Sequence, residues 1–311
     1  MTSRRRAQRG AAMLVAMVLV TLVATLAAGM VWQQWRAVEV EAAERGRVQG
    51  GWILQGAQDW ARLILREDAR SGKPTSLNEP WATPLAEARL STFLAADREH
   101  TDESAPEAFL AGRIVDAQAR YNLRNLIVEG KVPPDQLAIL GRLCQTAGLG
   151  PDVADTIATQ WQAAIAGGPL APLPPSQFDD LAWFGLPAPV LDRLRPLLVV
   201  LPGVTGVNLN TASREVLAGV IAGIDLGGAD RLVQQRQRQP FANLDDARKS
   251  LGLDKPLPPR DLAVQSAYFE VQGRMRLDDR VLESTALVER RNGLEVVTIA
   301  RTVHPAAQGG P

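Results

Sequence analysis

The chain has 311 residues, with 34 Lys and Arg against 34 Asp and Glu. Net charge therefore singles out neither nucleic acid nor an acidic substrate as a partner. One cysteine, Cys144, excludes an intrachain disulfide, and with only His100 and His304 beside it the Cys and His ligands are too few for a typical structural zinc site. Cys144 reads as a small buried residue on a helix.

The overall balance hides an asymmetric start. Arg4, Arg5, Arg6 and Arg9 precede any acidic residue, and Ala11 to Trp32 then carries no charge at all. At about 1.5 Å per residue this run makes a helix of about 33 Å, against a hydrocarbon core of about 30 Å. It closes its own backbone hydrogen bonds, as lipid demands. The arginines ahead of it predict a cytoplasmic N-terminus, with everything after about Val38 on the far side. Trp32 and Trp35 fall where the helix leaves the lipid and read as interface anchors. A cleaved secretory signal is the rival reading, with Thr25-Leu26-Ala27 as its site and Ala28 as the new start. The apolar run is longer than the roughly 7–15 residues of such a signal, and the helical pattern does not stop with it. Trp52, Gly56, Trp60 and Ile64 recur every four residues, with Ile53, Ala57 and Ala61 beside them, and predict one apolar face. Ser71-Gly72-Lys73-Pro74 ends the helix.

Pro80 to Pro84 reads as a loop, and Leu85 to Ala96 as a strand or short helix. Asp97, Glu99, Asp102, Glu103 and Glu107 make an exposed acidic run without the spacing of a calcium-binding loop. Gly112 to Leu123 predicts a strand with a turn near Asp116–Ala119, followed by an exit into Asn122–Leu126. Helices then dominate. Asp135–Thr146 turns Leu137, Leu140 and Cys144 inward, and Asp152–Ile165 follows. A Gly/Pro-rich linker over 166–175 leads to short helices at Ser176–Phe184 and Ala188–Leu198. In Val207-Asn208-Leu209-Asn210-Thr211-Ala212-Ser213, Asn210 or Thr211 is placed to cap a helix running through Ala222. Gly223–Gly228 reads as a turn. A helix bearing Ala229, Leu232, Val233 and Arg236 comes next, and a further short one begins in Pro240–Ala247. Beyond Pro259 the period changes to two: Ala267–Arg276, Val281–Arg290 and Leu294–Val303 predict strands, with Arg291-Asn292-Gly293 as a hairpin. Three antiparallel strands need an apolar partner, which the Trp52–Leu65 face can supply. Residues 304–311 read as a disordered tail.

No phosphate-binding loop, nucleophile elbow or zinc-protease motif is present. The carboxylate pairs Asp179-Asp180, Asp245-Asp246 and Asp278-Asp279 are sequence neighbours, whose side chains point apart, so capping and solvation explain them and catalysis is not expected.

Arg9-Gly10-Ala11, a glycine closing a cationic stretch directly before the apolar run, resembles the leader of type IV prepilins. The resemblance implies that Gly10 is the last leader residue, cut by prepilin peptidase on the cytoplasmic side, and that Ala11 becomes an N-methylated start. Most pilins and pseudopilins carry a glutamate at the fifth mature position, where it pairs with a neighbouring subunit's amine. Here that position is Val15. A lone carboxylate in lipid is costly unless paired, so a subunit without one needs no neighbour ahead of it. The order of leader, missing glutamate, helical insert and returning strands is similar to the K pseudopilins of type II secretion systems. That resemblance implies an α+β, type IV pilin-like fold: a long N-terminal helix packed on an antiparallel sheet, with a large all-helical domain inserted between strands. Its divisions would be a leader over 1–10, a transmembrane helix over 11–32, the pilin helix and first part of the pilin domain over 33–121, the inserted domain with a helix-hairpin-helix-like repeat over 122–258, returning strands over 259–303, and the tail. It implies the minor pseudopilins I and J, other pseudopilins and the inner membrane as partners, and a place at the pseudopilus tip, initiating or capping assembly for export of folded periplasmic proteins. It also raises calcium, which some members bind, with no ligand placed by motif here.

A second reading comes from the insert. Asn208–Ala212, Gly223-Ile224 and Ala229 to Phe241 resemble the helix-hairpin-helix modules of DNA-uptake proteins, and would make this a membrane-anchored DNA-binding protein. Charge argues against nucleic acid: residues 122–258 hold 12 Lys and Arg against 13 Asp and Glu, a net −1, whereas non-specific affinity for DNA comes from cations neutralising phosphates.

Overall fold

The computed structural model describes residues 4–90, 108–277, 280–292 and 295–305. The stretch 91–107 with the acidic run, Asp278-Asp279, Gly293 and residues 306–311 lie outside them, whereas His304 and Pro305, expected in the disordered tail, are the last residues of a strand. Helix α1 (Arg4–Arg70) contains no proline and stops where Gly72 adopts φ +64° ahead of Pro74. Residues up to Ile53 form one compact unit, and those from Leu54 onward another.

From Leu54 onward the face that α1 buries meets the expected one only in part, at Ala61 and at Ile64, which packs against the same core. Leu54, Gln58, Ala61 and Leu65 are the buried positions and Trp60 is 52% exposed; Trp52, which belongs to the first unit, is 68% exposed. A strict spacing of four advances about 40° per step around a helix of 3.6 residues per turn, so four such residues cannot share one stripe. The 4-3-4 spacing of the observed set does stay on one side. Ala61 and Leu65 pack with Trp81, Phe269, Val271, Val288 and Val296, and the Trp81 and Phe269 rings meet edge to face at 5.2 Å. Gln58 donates to the buried Ser284 hydroxyl at 2.6 Å.

The sheet has five antiparallel strands: β1 (Leu85–Arg89), β2 (Ala108–Asp116), β7 (Tyr268–Leu277), β8 (Arg280–Arg291) and β9 (Glu295–Pro305), in the order β1-β2-β7-β8-β9. Phe269, Val271 and Met275 of β7 are buried, while Glu270, Gln272 and Arg274 between them are not, the alternation of a sheet with one covered face. Asn292 takes φ +47° in the β8–β9 turn, as its hairpin position requires. Ile299 is the extra residue of a bulge in β9 opposite Leu287 and Val288.

Between β2 and β7 the chain leaves the sheet. A 3₁₀ turn over Ala117–Ala119 leads into β3 (Tyr121–Asn122), then α2 (Pro134–Thr146), α3 (Pro151–Ala166), a 3₁₀ helix (Phe178–Phe184), α4 (Ala188–Leu194), β4 (Leu198–Val199), β5 (Val207–Asn208), α5 (Arg214–Val220), α6 (Leu226–Arg238), α7 (Leu244–Leu251) and β6 (Leu262–Ala263). The insert is therefore not wholly helical. β3 pairs in parallel with β4, and β5 with β6. Leu198 belongs to β4 rather than to the preceding helix, which ends at Leu194. Leu140, Leu143, Cys144, Ile157, Trp161, Leu181, Leu194, Val216 and Leu217 belong to one apolar core. α2 and α5 come so close that a Cβ on Gly219 would lie 2.3 Å from the Leu143 Cδ2.

Candidate functional sites on the anchor helix and at the sheet–insert junction

The residues singled out in the N-terminal stretch all lie on α1. Gly10 and Ala11 fall within its continuous helical backbone. Val15 is 59% exposed, Trp32 60% and Trp35 62%. α1 carries an apolar window of mean hydropathy 2.5, none of it buried, long enough to cross a membrane. Thr21 and Thr25 are its only polar side chains between Ala11 and Trp32, and both hydroxyls are satisfied within the helix: Thr21 donates to the Met17 and Val18 carbonyls at 2.9 Å, Thr25 to that of Leu22 at 2.9 Å. This removes the cost of carrying them into lipid. The Arg36 guanidinium lies 5.8 Å from the Trp32 ring centroid.

A second site, which the sequence reading missed, joins the sheet to the insert. Asp116 ends β2 and is 2% exposed. Its Oδ2 accepts from the Ser266 hydroxyl at 2.6 Å, the Thr211 hydroxyl at 2.6 Å and the Asn208 amide at 3.0 Å, and its Oδ1 accepts from the Gln118 N–H at 2.8 Å. The Asn208 amide also reaches the Thr75 carbonyl at 3.1 Å, just past α1. One carboxylate thus gathers the end of β2, the start of the helix-bearing segment and the return to β7. Burial pushes the Asp116 carboxyl above the usual carboxylate range, and the four donors oppose it. Beside it Arg290 of β8 donates to Asp68 of α1 at 2.9 Å, to the Thr75 hydroxyl at 3.1 Å and to the Ser266 carbonyl at 2.9 Å. Gln118 completes the seam, donating to the Gly206 carbonyl at 3.1 Å and accepting from the Ala267 N–H at 2.6 Å.

Asparagines staple the rest of the junction. Asn122 and Asn125 bracket the 201–205 loop: Asn122 donates to the Gly203 carbonyl at 2.7 Å, and Asn125 both donates to and accepts from the Thr205 backbone, at 2.8 and 3.2 Å. Asn210 does the same to Phe241, at 3.0 and 2.8 Å. Asn210 and Thr211 are therefore not caps. Ser213 caps α5, accepting from the Val216 N–H at 3.3 Å, because the two earlier side chains are already spent on buried partners. α6 begins at Leu226, so Gly227 and Gly228 lie in its first turn rather than in the connecting loop. A signal for this cluster was present: short polar residues in the run Asn208-Leu209-Asn210-Thr211 alternate with apolar ones inside an otherwise apolar core, the pattern of buried side chains that replace backbone partners.

The hairpin between α5 and α6 is poorly arranged for phosphate. Asp225 caps α6, its carboxylate accepting from the Gly228 N–H at 2.7 Å, which places a negative charge at that helix terminus. Arg214 pairs with Glu215 at 2.8 Å and Asp230 at 3.3 Å. Arg236, one of the 12 cations of the insert, is 7% exposed and donates to the Leu209 carbonyl at 2.6 Å; burial lowers it to about 10. Cys144 is fully buried, and burial raises its thiol to about 11, which leaves it unreactive at neutral pH. Asp180 works as a local cap: burial pushes its carboxyl up, but hydrogen bonds from Ser176 and Gln177 hold it below the usual range. Among the described residues no three His, Cys, Asp or Glu side chains gather as a metal site.

The family described as type II secretion system protein K matches residues 207–271, the segment from β5 to β7 that carries Asn208, Asn210, Thr211 and Ser266. Three relatives named type II secretion system protein K match nearly end to end. The one from Pseudomonas aeruginosa is 27% identical, covering 98% of this chain and 95% of the relative. The one from Dickeya chrysanthemi is 25% identical, covering 96% and 99%, and the one from Pectobacterium carotovorum is 28% identical, covering 96% and 97%. A chain in the crystal structure of the GspK-GspI-GspJ complex from the enterotoxigenic Escherichia coli type 2 secretion system shares the fold, with a TM-score of 0.64 at 17% identity over 85% of this chain and 99% of that one. The matched junction segment, the full-length relatives and the shared fold make the chain similar to type II secretion system protein K along nearly its whole length.

Proposed function

We propose that the protein is the minor pseudopilin at the tip of a type II secretion pseudopilus. There it starts or caps assembly with the minor pseudopilins I and J and so serves the export of folded periplasmic proteins. The observation that carries this reading is the end-to-end match to protein K of Pseudomonas aeruginosa, 98% of this chain against 95% of that one. The solved assembly that shares its fold is a complex of GspK with GspI and GspJ. The role is structural rather than catalytic.

α1 holds the chain in the inner membrane by Ala11–Trp32, with the leader in the cytoplasm and the bulk in the periplasm. Trp32 and Trp35 sit at the outer interface. Prepilin peptidase cuts after Gly10, leaving Ala11 as the N-methylated start. Val15 lets the subunit enter a filament without offering a carboxylate to a subunit ahead of it, and the insert closes that end of the stack. The division of the chain follows: a leader over 1–10, the span over 11–32, pilin-domain sequence on either side of an insert over 122–258.

Deleting the gene and complementing it in cells that secrete a reporter enzyme tests the role. Wild type should restore export, and a chain lacking 117–267 should not. Full export by that truncated chain would refute a role for the insert in the assembly. Tight, salt-dependent binding of duplex DNA by the full-length protein would favour the second reading instead.

A further inference from the structure

We propose that the loop 167–175 is a docking element for a protein partner whose groove is lined with aromatic side chains. The loop leaves α3 through Gly167 and Gly168, at φ +71° and +140°. The Ala171 N–H donates to the Gly168 carbonyl at 3.2 Å and closes a turn with Pro169 and Leu170 at its apex. Leu170 is 100% exposed and Leu173 69%. A single exposed leucine needs no explanation. These two stand in one short loop, and the elements at its ends carry Ile165 at 42% and Trp183 at 52% exposure.

Stiffness distinguishes the loop from an ordinary surface connection. Every residue from Ala171 to Pro175 is a proline or precedes one. Proline fixes its own φ and drives the residue before it into the extended or polyproline region. Pro175 is buried, and its carbonyl accepts from Arg124 Nη2 at 3.5 Å, which ties down the far end. A chain held in this way loses little conformational freedom when its leucines are covered. Proline-framed apolar residues of this kind are what shallow aromatic-lined grooves accept.

Charge narrows the partner further. No Asp, Glu, Lys or Arg occurs between Asp155 and Asp179. The loop thus offers nothing to phosphate or to an anionic membrane surface, both of which are recognised through cations. An apolar lipid surface is the remaining rival.

The test uses the full-length protein in permeabilised cells, with Leu170→p-benzoylphenylalanine as a photo-crosslinker. The competitors are a synthetic peptide of residues 167–177 and the same peptide with Leu170→Ser and Leu173→Ser. The expected result is one protein adduct, joined beside aromatic residues of the partner, which the native peptide suppresses at about tenfold lower concentration than the serine peptide. Adducts to phospholipid alone, equal competition by the two peptides, or no adduct would each overturn the proposal. It does not rest on the secretion role. Loss of I- and J-type partners would refute that role and leave the adduct in place, and the converse result would refute only the docking loop.

Discussion

Replacing Asp116 probes the joint on which the insert hangs. Asp116→Ala strands four buried donors, those of Ser266, Thr211, Asn208 and Gln118. Two have other outlets: the Thr211 hydroxyl can turn to the Asn208 carbonyl at 3.5 Å, and the Asn208 amide keeps Thr75 and Ser266. The Ser266 hydroxyl and the Gln118 N–H have none of comparable quality. At about 1–3 kcal/mol for each buried donor left unmet, less the relief of no longer burying a carboxylate, the net loss is about 3 kcal/mol. For a globular part of this size that corresponds to a fall of about 6–12 °C in Tm. Thermal unfolding of the detergent-solubilised full-length protein, followed by circular dichroism, reads it directly. The pH dependence has a definite sign. The Asp116 carboxyl is raised in the folded protein by burial, so the stability gained from its proton is fully present below the unfolded value of about 3.9 and is lost as pH rises through the folded one. Asp116→Asn carries no such proton. Wild type should therefore gain on that variant as the pH is lowered from 7 towards 4. An alanine variant that melts within 1 °C of wild type, or a wild type that loses ground to Asp116→Asn on acidification, would refute the reasoning.

Gly10→Val should leave the leader attached and stop export, which mass spectrometry of the membrane-bound chain and the secretion assay detect together. Val15→Glu should be tolerated less well than Val15→Leu, because the new carboxylate has no partner in lipid; equal export by the two would remove the argument from position 15. Gly206→Ala places a Cβ 2.7 Å from the Leu262 carbonyl carbon, at the start of the parallel β5–β6 pair. Backbone cannot yield as a side chain can, so the variant should lose about 1–3 kcal/mol, seen as a lower Tm without change in membrane insertion.

Much of the fold was legible because its signals are local. Unbroken apolarity from Ala11, the stop at Gly72 and Pro74, the period-two strands after Pro259 and the proline and glycine breaks between helices each lie in a few consecutive residues, and the elements appear where those signals stand. The buried face of α1 was legible only at Ala61 and Ile64, because a spacing of four in Trp52, Gly56, Trp60 and Ile64 imitates a helical stripe while drifting around the axis. The two short parallel pairs could not be read from pattern. Tyr121-Asn122 and Leu198-Val199 are two residues each, and a pairing across 75 positions leaves no periodicity. The Asp116 cluster was invisible for the same reason: its members at 75, 116, 118, 208, 211 and 266 meet only in three dimensions. Asn210 and Thr211 each stand where a short polar residue before a helix ordinarily caps it. Here the buried junction claims both and leaves the cap to Ser213.

Copurification decides the central claim most directly. The full-length protein, tagged after Pro311 and extracted from the membranes of its own cells with mild detergent, should bring down the I- and J-type minor pseudopilins in equal amounts, with its mature chain starting at N-methylated Ala11. Recovery without pilin-like partners, or a mature chain starting at Ala28, would contradict a membrane-anchored pseudopilin at the tip of the assembly.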